Sequence, residues 1–426
     1  MVKYHSVLGY YIPSLYQMNL DFDFSDSPLT IMRLSEKNLS IFVHEYVHFI
    51  QDISSLMGLN NAYVYSEYIH GLVTMLKKER PGKFNVPLKV NGNKWNLELN
   101  TFVKEKTLGS TDIYNTIFPT KIEWRSEKVK YTNKDVDKLE LVIIKATNSN
   151  IVFGGYAIME SMAYLIERQI TCGSASVPDY PYNSAEMVAK MVYPKFVSNP
   201  LNIIALCDMS MQYSNPGKIF VQTLNVFRDN NFLPLRPEEI IDYFYSVPMQ
   251  QSGKTVSLEY GILSFGMMLG DLFKSYLKGT QFGYFHSVVY KLLGFGMNKR
   301  LNNRYFMLNL AKGGYAKNNS VFLGMLKDVG SPVICDKSNS YWLIPPLGIN
   351  LYNYGIEYFH TIIDIYKILK EGATCCEMYE WCEKSPQTDE DDRCILNPWD
   401  RCSDLKLCPF ATLWKHWGLE GYVPKY

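Results

Sequence analysis

Between Asn38 and Leu56 the chain reads NLSIFVHEYVHFIQDISSL, and the spacing of its apolar residues decides how the remainder is read. Leu39, Ile41, Phe42, Val43, Tyr46, Val47, Phe49, Ile50, Ile53 and Leu56 recur at helical period and all but surround the polar residues. Ser35 with Asn38, or Ser40, supplies a start signal, and Met57-Gly58 a stop. A helix apolar on nearly every side belongs inside a protein, yet this one carries His44, Glu45, His48, Gln51 and Asp52. Buried polar groups need partners. His44-Glu45-Tyr46-Val47-His48 is an HExxH pattern: on a helix the two imidazoles lie one turn apart and converge on a single ion, with Glu45 beside them to accept a proton from water. In a chain of 426 residues with seven histidines, chance produces this pattern on the order of once per hundred chains or fewer. The plain alternative is a pair of core histidines bonded to backbone.

A catalytic zinc usually takes three protein ligands and leaves a fourth position for water. Glu160 is the leading third candidate: the run from Ile151 to Ile170 has few charges besides Glu160, Glu167 and Arg168. Small residues at Gly155, Ala157, Ser161 and Ala163 would let this segment approach the first helix closely. Glu67 is the rival, on a helix expected from Ala62 to Lys78 whose apolar face of Tyr65, Tyr68, Ile69 and Leu72 turns it elsewhere. Glu167, beside Arg168, reads as half of a surface ion pair. Asp52, one turn beyond His48, either orients a ligand imidazole or is a solvated acid at a helix end.

HEYVHFIQ at 44–51 together with AIMESMA at 157–163 resembles the gluzincin branch of zinc metallopeptidases, a likeness confined to two helices. It implies a zincin-like catalytic core, Zn2+ held by His44, His48 and Glu160, Glu45 as general base, and a protein or peptide substrate. Tyr164 stands where such enzymes often carry an Asp that buttresses the first histidine, and little chain precedes the motif where they place a substrate-binding sheet. Tyr156, Tyr164 and His70 are the candidates for stabilising an oxyanion. Two other classes compete. Glu45/His48, Glu67/His70 and Glu357/His360 are Glu-x-x-His pairs, and two of them with Glu160 and Glu167 would build a di-iron site in a helical bundle; that design gives His44 no role. A non-catalytic binding protein on a peptidase-like scaffold is the other, disfavoured by an intact Glu45.

The expected fold class is α+β and predominantly helical: a zincin-like core over residues 1–180 with a strand-rich insertion at about 84–148, a helical domain over 181–345 completing the cleft, and a helix with a Cys-rich tail over 346–426. Within the insertion, Val86–Val90 and Lys94–Leu99 flank Asn91-Gly92-Asn93 as a hairpin, and Lys121–Tyr131 and Leu139–Thr147 read as two further strands. An exposed edge there could receive an extended peptide or simply cover the core. Helices resume at Ala185, Pro200, Gly217, Pro237, Val256 and Tyr284. A net charge of +1 with no basic stripe excludes nucleic acid as the main partner. The most apolar segment, Gly261–Tyr276, is interrupted by Asp271 and Lys274 and is too short for a bilayer; the N-terminus lacks a secretory pattern. A cytoplasmic protein is expected, and a protease there requires a narrow cleft or a regulatory protein partner.

Six of the nine cysteines fall at Cys375, Cys376, Cys382, Cys394, Cys402 and Cys408. In a reducing compartment such density points to metal before disulfides. Cys382, Cys394, Cys402 and Cys408 form the preferred quartet for a structural zinc or an iron-sulfur cluster, because adjacent Cys375 and Cys376 cannot easily both turn to one ion. Leu413, Trp414 and Trp417 would dock the tail on the body.

Overall fold

A computed structural model describes residues 9–12, 16–25, 30–88, 97–111, 113–131, 134–147, 149–172, 177–251, 254–279, 282–347, 357–384 and 389–426. The architecture is mixed and mostly helical, with four small sheets among the described residues. No described helix is long and apolar enough to cross a membrane. One buried cluster runs from Tyr16 to Tyr422 and draws on all three segments distinguished in the sequence.

The HExxH helix spans Glu36–Ser54 and lies at the centre of that cluster. Ser35 caps it, its hydroxyl accepting the N–H of Asn38 at 3.2 Å, which satisfies one of the orphan donors of the first turn. Phe42, Val43, Phe49, Ile50 and Ile53 are wholly inaccessible. Phe42 stacks between Phe24 and Tyr46, and the Tyr46 hydroxyl donates to the Gly330 carbonyl.

The helix ends differently from expectation. Ser55 breaks it and caps the next helix, Leu56–Leu76, so Met57 and Gly58 lie in the first turn of that second helix. Gly58 is needed for close approach: a Cβ there would stand 2.4 Å from the Asp52 carbonyl oxygen. At the same end, Arg300 from the helix Gly283–Asn302 donates through Nε to the Ser54 carbonyl at 3.2 Å and holds Asp208 in a two-pronged pair at 2.6 and 2.8 Å. That pair is fully buried and ties two further helices, Gly283–Asn302 and Pro200–Ser210, to the end of the motif helix.

Two short strands precede the motif, and the sheet is completed from far along the chain. Gly9–Ile12 pairs antiparallel with Gln17–Leu20, which runs parallel to Val333–Cys335, which pairs antiparallel with Tyr341–Trp342. Gly9–Ile12 is the edge strand lying on the HExxH helix; a Cβ on Gly9 would meet Ile41 at 2.8 Å.

In the insertion, Pro119–Tyr131, Lys134–Ala146 and Ser149–Phe153 form an antiparallel meander. Its last strand leads through Gly154 into the helix Gly155–Ile170, which carries Glu160. The hairpin expected about Asn91-Gly92-Asn93 lies largely outside the described residues. Leu97–Leu108, in part expected as strand, is a helix, and Lys83–Asn85 pairs with the C-terminal strand Val423–Lys425. Trp414 is fully buried, and the Trp417 indole donates to the Tyr276 carbonyl, which docks the tail.

Candidate metal centre

His44 and His48 lie one turn apart with their rings edge to face, centroids 4.8 Å apart. Their Nε2 atoms are 3.2 Å from each other. Glu160 enters from the facing helix and places Oε2 at 3.1 Å from His44 Nε2 and 3.4 Å from His48 Nε2. On that helix Ala157 and Ala163 are wholly buried, and Gly155, where a Cβ would stand 2.5 Å from the Met57 sulfur, allows close approach to the helix Leu56–Leu76. Ser161 has a further use: it accepts from the Ala185 N–H and donates to the Pro181 carbonyl, fixing the turn that carries Tyr182.

The outer nitrogens determine what the inner ones can do. His44 Nδ1 lies 3.1 Å from Glu167 Oε2, a carboxylate that also accepts from the Ser40 hydroxyl. A carboxylate can only accept, so the His44 proton resides on Nδ1. His48 Nδ1 lies 2.9 Å from Gln51 Oε1, and the amide nitrogen of Gln51 donates to the Met159 carbonyl at 3.1 Å. With its NH2 engaged there, Gln51 presents its oxygen to His48, and His48 too carries its proton on Nδ1. Both Nε2 lone pairs therefore point inward at each other and at the Glu160 oxygen.

Three acceptors facing one another at 3.1–3.4 Å repel unless a proton or a cation lies between them. A tetrahedral zinc with ligand bonds of about 2.0–2.1 Å spaces its donors roughly 3.3 Å apart. The match in donor type, spacing and lone-pair direction means that His44, His48 and Glu160 could hold a divalent ion. Burial pushes the Glu160 carboxyl up, but His48 and His44 outweigh it and hold it well below the usual carboxylate range. Burial pulls His44 down, and its bonds to Glu160 and Glu167 more than reverse this.

Glu45 is buried beside the two histidines, and burial pushes its carboxyl up to about 7 against the pull of His44 and His48. Tyr182 places its ring edge-on to His44 at 5.7 Å, with Tyr164 behind it at 5.8 Å. Burial raises the Tyr182 phenol, with the Glu160 charge the next cause. Tyr156, raised for the same reasons, shares a hydrogen bond with Tyr114 on the exposed side. Tyr164 also stacks under Arg168.

The remaining sequence candidates sit as follows. Glu67 accepts from Tyr63 at 2.9 Å and does not join the group. His70 stacks flat on Tyr276 at 3.8 Å. Asp52 accepts from the Tyr11 hydroxyl at 3.1 Å, while Tyr11 stacks against His48; the bond to the His48 imidazole comes from Gln51 instead. Glu167 is buried against His44 and is no surface ion pair. Its spacing of two turns from Glu160 was the available signal, overridden by the neighbouring Arg168. Gln51 is marked in the sequence only as a buried polar residue of the motif helix in need of a partner; Tyr182 and the Arg300–Asp208 pair were not singled out, and Tyr182 carries no local signal at all.

The Glu-x-x-His pairs stay apart. His360 bonds Gln17 at 2.9 Å and, with Asp364 and Glu377, forms a second group that could hold an ion. Among the described residues neither Glu67 nor His70 joins either group. In the tail, all nine cysteines of the chain are thiols, none in a disulfide. Cys402, one of the expected quartet, donates to the Ala411 carbonyl at 3.6 Å, and Cys376 takes its place in a cavity with Cys382, Cys394 and Cys408.

No protein-family profile, curated protein or solved structure matches this chain.

Proposed function

We propose that this chain is a zinc-dependent metallopeptidase of the HExxH-plus-glutamate kind, working in the cytoplasm on a protein or peptide substrate. The observation that carries the reading is the triad of His44 Nε2, His48 Nε2 and Glu160 Oε2 at 3.1–3.4 Å, with both histidine tautomers set by Glu167 and Gln51. Zinc at these three atoms supplies Lewis acidity that polarises a carbonyl and acidifies water.

The protein's own groups supply the rest. Glu45, adjacent to both ligands and shielded from solvent, takes the proton of the attacking water and returns it to the leaving amine. Tyr182, edge-on to His44, is the donor we assign to the developing oxyanion. The edge strand Gly9–Ile12, lying over the HExxH helix next to Glu45, offers main-chain partners to an extended peptide. Nine thiols without a disulfide suit a reducing compartment.

Glu45→Gln should leave bound zinc unchanged while lowering turnover of an unfolded protein substrate by about 10²–10⁴-fold; His48→Ala should lose the metal. Zinc bound equally well by His48→Ala, or turnover that survives Glu45→Gln, would overturn the assignment.

A further inference from the structure

Cys376, Cys382, Cys394 and Cys408 line one small, partly open cavity in the C-terminal segment. We propose that this cavity binds a [4Fe–4S] cluster through these four sulfurs.

Spacing separates a cluster from a single ion. A tetrahedral zinc with bonds of about 2.3 Å needs its sulfurs roughly 3.8 Å apart. Among the described residues no three cysteines bring their sulfurs within 4.8 Å of one another. A four-iron cube sits between its thiolates and holds them farther apart than a single ion does, so it wants sulfurs around a void rather than in contact. The wall is largely apolar, with Phe410 across it, and Cys376, Cys382 and Cys394 are buried.

Two of the four sulfurs accept from donors. Arg401, itself only 5 % exposed, places Nη1 at 3.0 Å from Cys394 Sγ. The Ala411 N–H, in the first turn of Pro409–His416, lies 3.4 Å from Cys408 Sγ. Arginine is seldom buried without an anion to match it. Asp404 takes its Nε at 3.0 Å, and a thiolate-bound cluster offsets what remains. N–H donors to sulfur are also what stabilises and tunes such clusters. Cys376 now bonds Asp364 at 3.2 Å; ligation releases the thiol proton and exchanges that bond for one to iron.

The segment has need of a staple. Its helices Tyr379–Lys384, Arg393–Leu396 and Pro409–His416 have six, four and eight residues, below the length at which helices hold themselves. One cluster joins all three and the turn before them.

The test is the full chain, purified without oxygen and assayed for iron, acid-labile sulfide and a visible absorbance that bleaches with dithionite. About four irons and four sulfides per chain are expected. Cys376→Ser, Cys382→Ser, Cys394→Ser and Cys408→Ser should each lower both several-fold, while Cys375→Ser and Cys402→Ser should retain them. His48→Ala should keep the iron, which separates this site from the HExxH centre. Zinc without sulfide on the same four residues would overturn the proposal, as would full iron in Cys376→Ser with loss in Cys402→Ser. A chain that binds neither iron nor sulfide after anaerobic reconstitution would also refute it.

Discussion

Glu167→Ala is the sharpest perturbation of the centre, because Glu167 touches no part of the ion's expected position and acts only through His44. Its carboxylate accepts from His44 Nδ1 at 3.1 Å and from the Ser40 hydroxyl. Removing a partner of this kind typically weakens metal binding 10–100-fold, about 1.4–2.7 kcal/mol. The metal-free fold should lose a further 1–3 kcal/mol or so, the usual cost of leaving buried donors unpaired. These two effects are separable. At a free zinc concentration about 1,000 times the wild-type Kd, binding adds about 4.1 kcal/mol to stability, and a variant bound a hundredfold more weakly keeps only about 1.4 kcal/mol of that. Competition against a chromophoric zinc chelator reads the affinity; urea melts with and without the chelator read the two stability increments. Glu167→Gln, which keeps an accepting oxygen but loses the charge, should fall between alanine and wild type. Wild-type zinc affinity in Glu167→Ala, with affinity lost in Glu160→Ala, would refute the role given to Glu167.

Tyr182→Phe should hold zinc as wild type does yet lower kcat by about 10²–10³-fold, the range for loss of one oxyanion donor; an equal rise in KM with kcat intact would assign the phenol to substrate binding instead. Arg300→Met should destabilise the fold by about 3–5 kcal/mol in urea melts, since it leaves Asp208 buried without its counter-charge, and adding Asp208→Leu should recover much of the loss. A small effect of Arg300→Met alone would show that the pair does not clamp the end of the motif helix.

What the sequence disclosed and what it hid divide along locality. His44, Glu45 and His48 were legible because ligands at i and i+4 on one helix are a local pattern, and Glu160 because an acid within an apolar run is conspicuous wherever it folds. Glu167 and Gln51 were not, because their use depends on how two helices 123 and 108 residues apart in sequence meet. Gly58 misled in another way. Glycine both stops helices and permits close approach, and only the position of the Asp52 carbonyl decides which use applies. Which cysteines line the cavity in the tail is hidden for the same reason: Cys376 lines it while Cys402 bonds the Ala411 carbonyl, which spacing does not encode.

The sheet beside the HExxH helix shows the same limit acting on the fold. Strands of three or four residues are too short for alternation to register as a pattern. Yet Met18 pairs with Ile334 across more than three hundred residues, and Tyr11 reaches from the edge strand to Asp52 at 3.1 Å while its ring lies against His48. The sheet is thus coupled to the metal helix by a polar bond and a ring contact as well as by packing. A shift of Gly9–Ile12 on binding an extended chain would reach His48 through Tyr11, on the face of the imidazole that Gln51 does not hold.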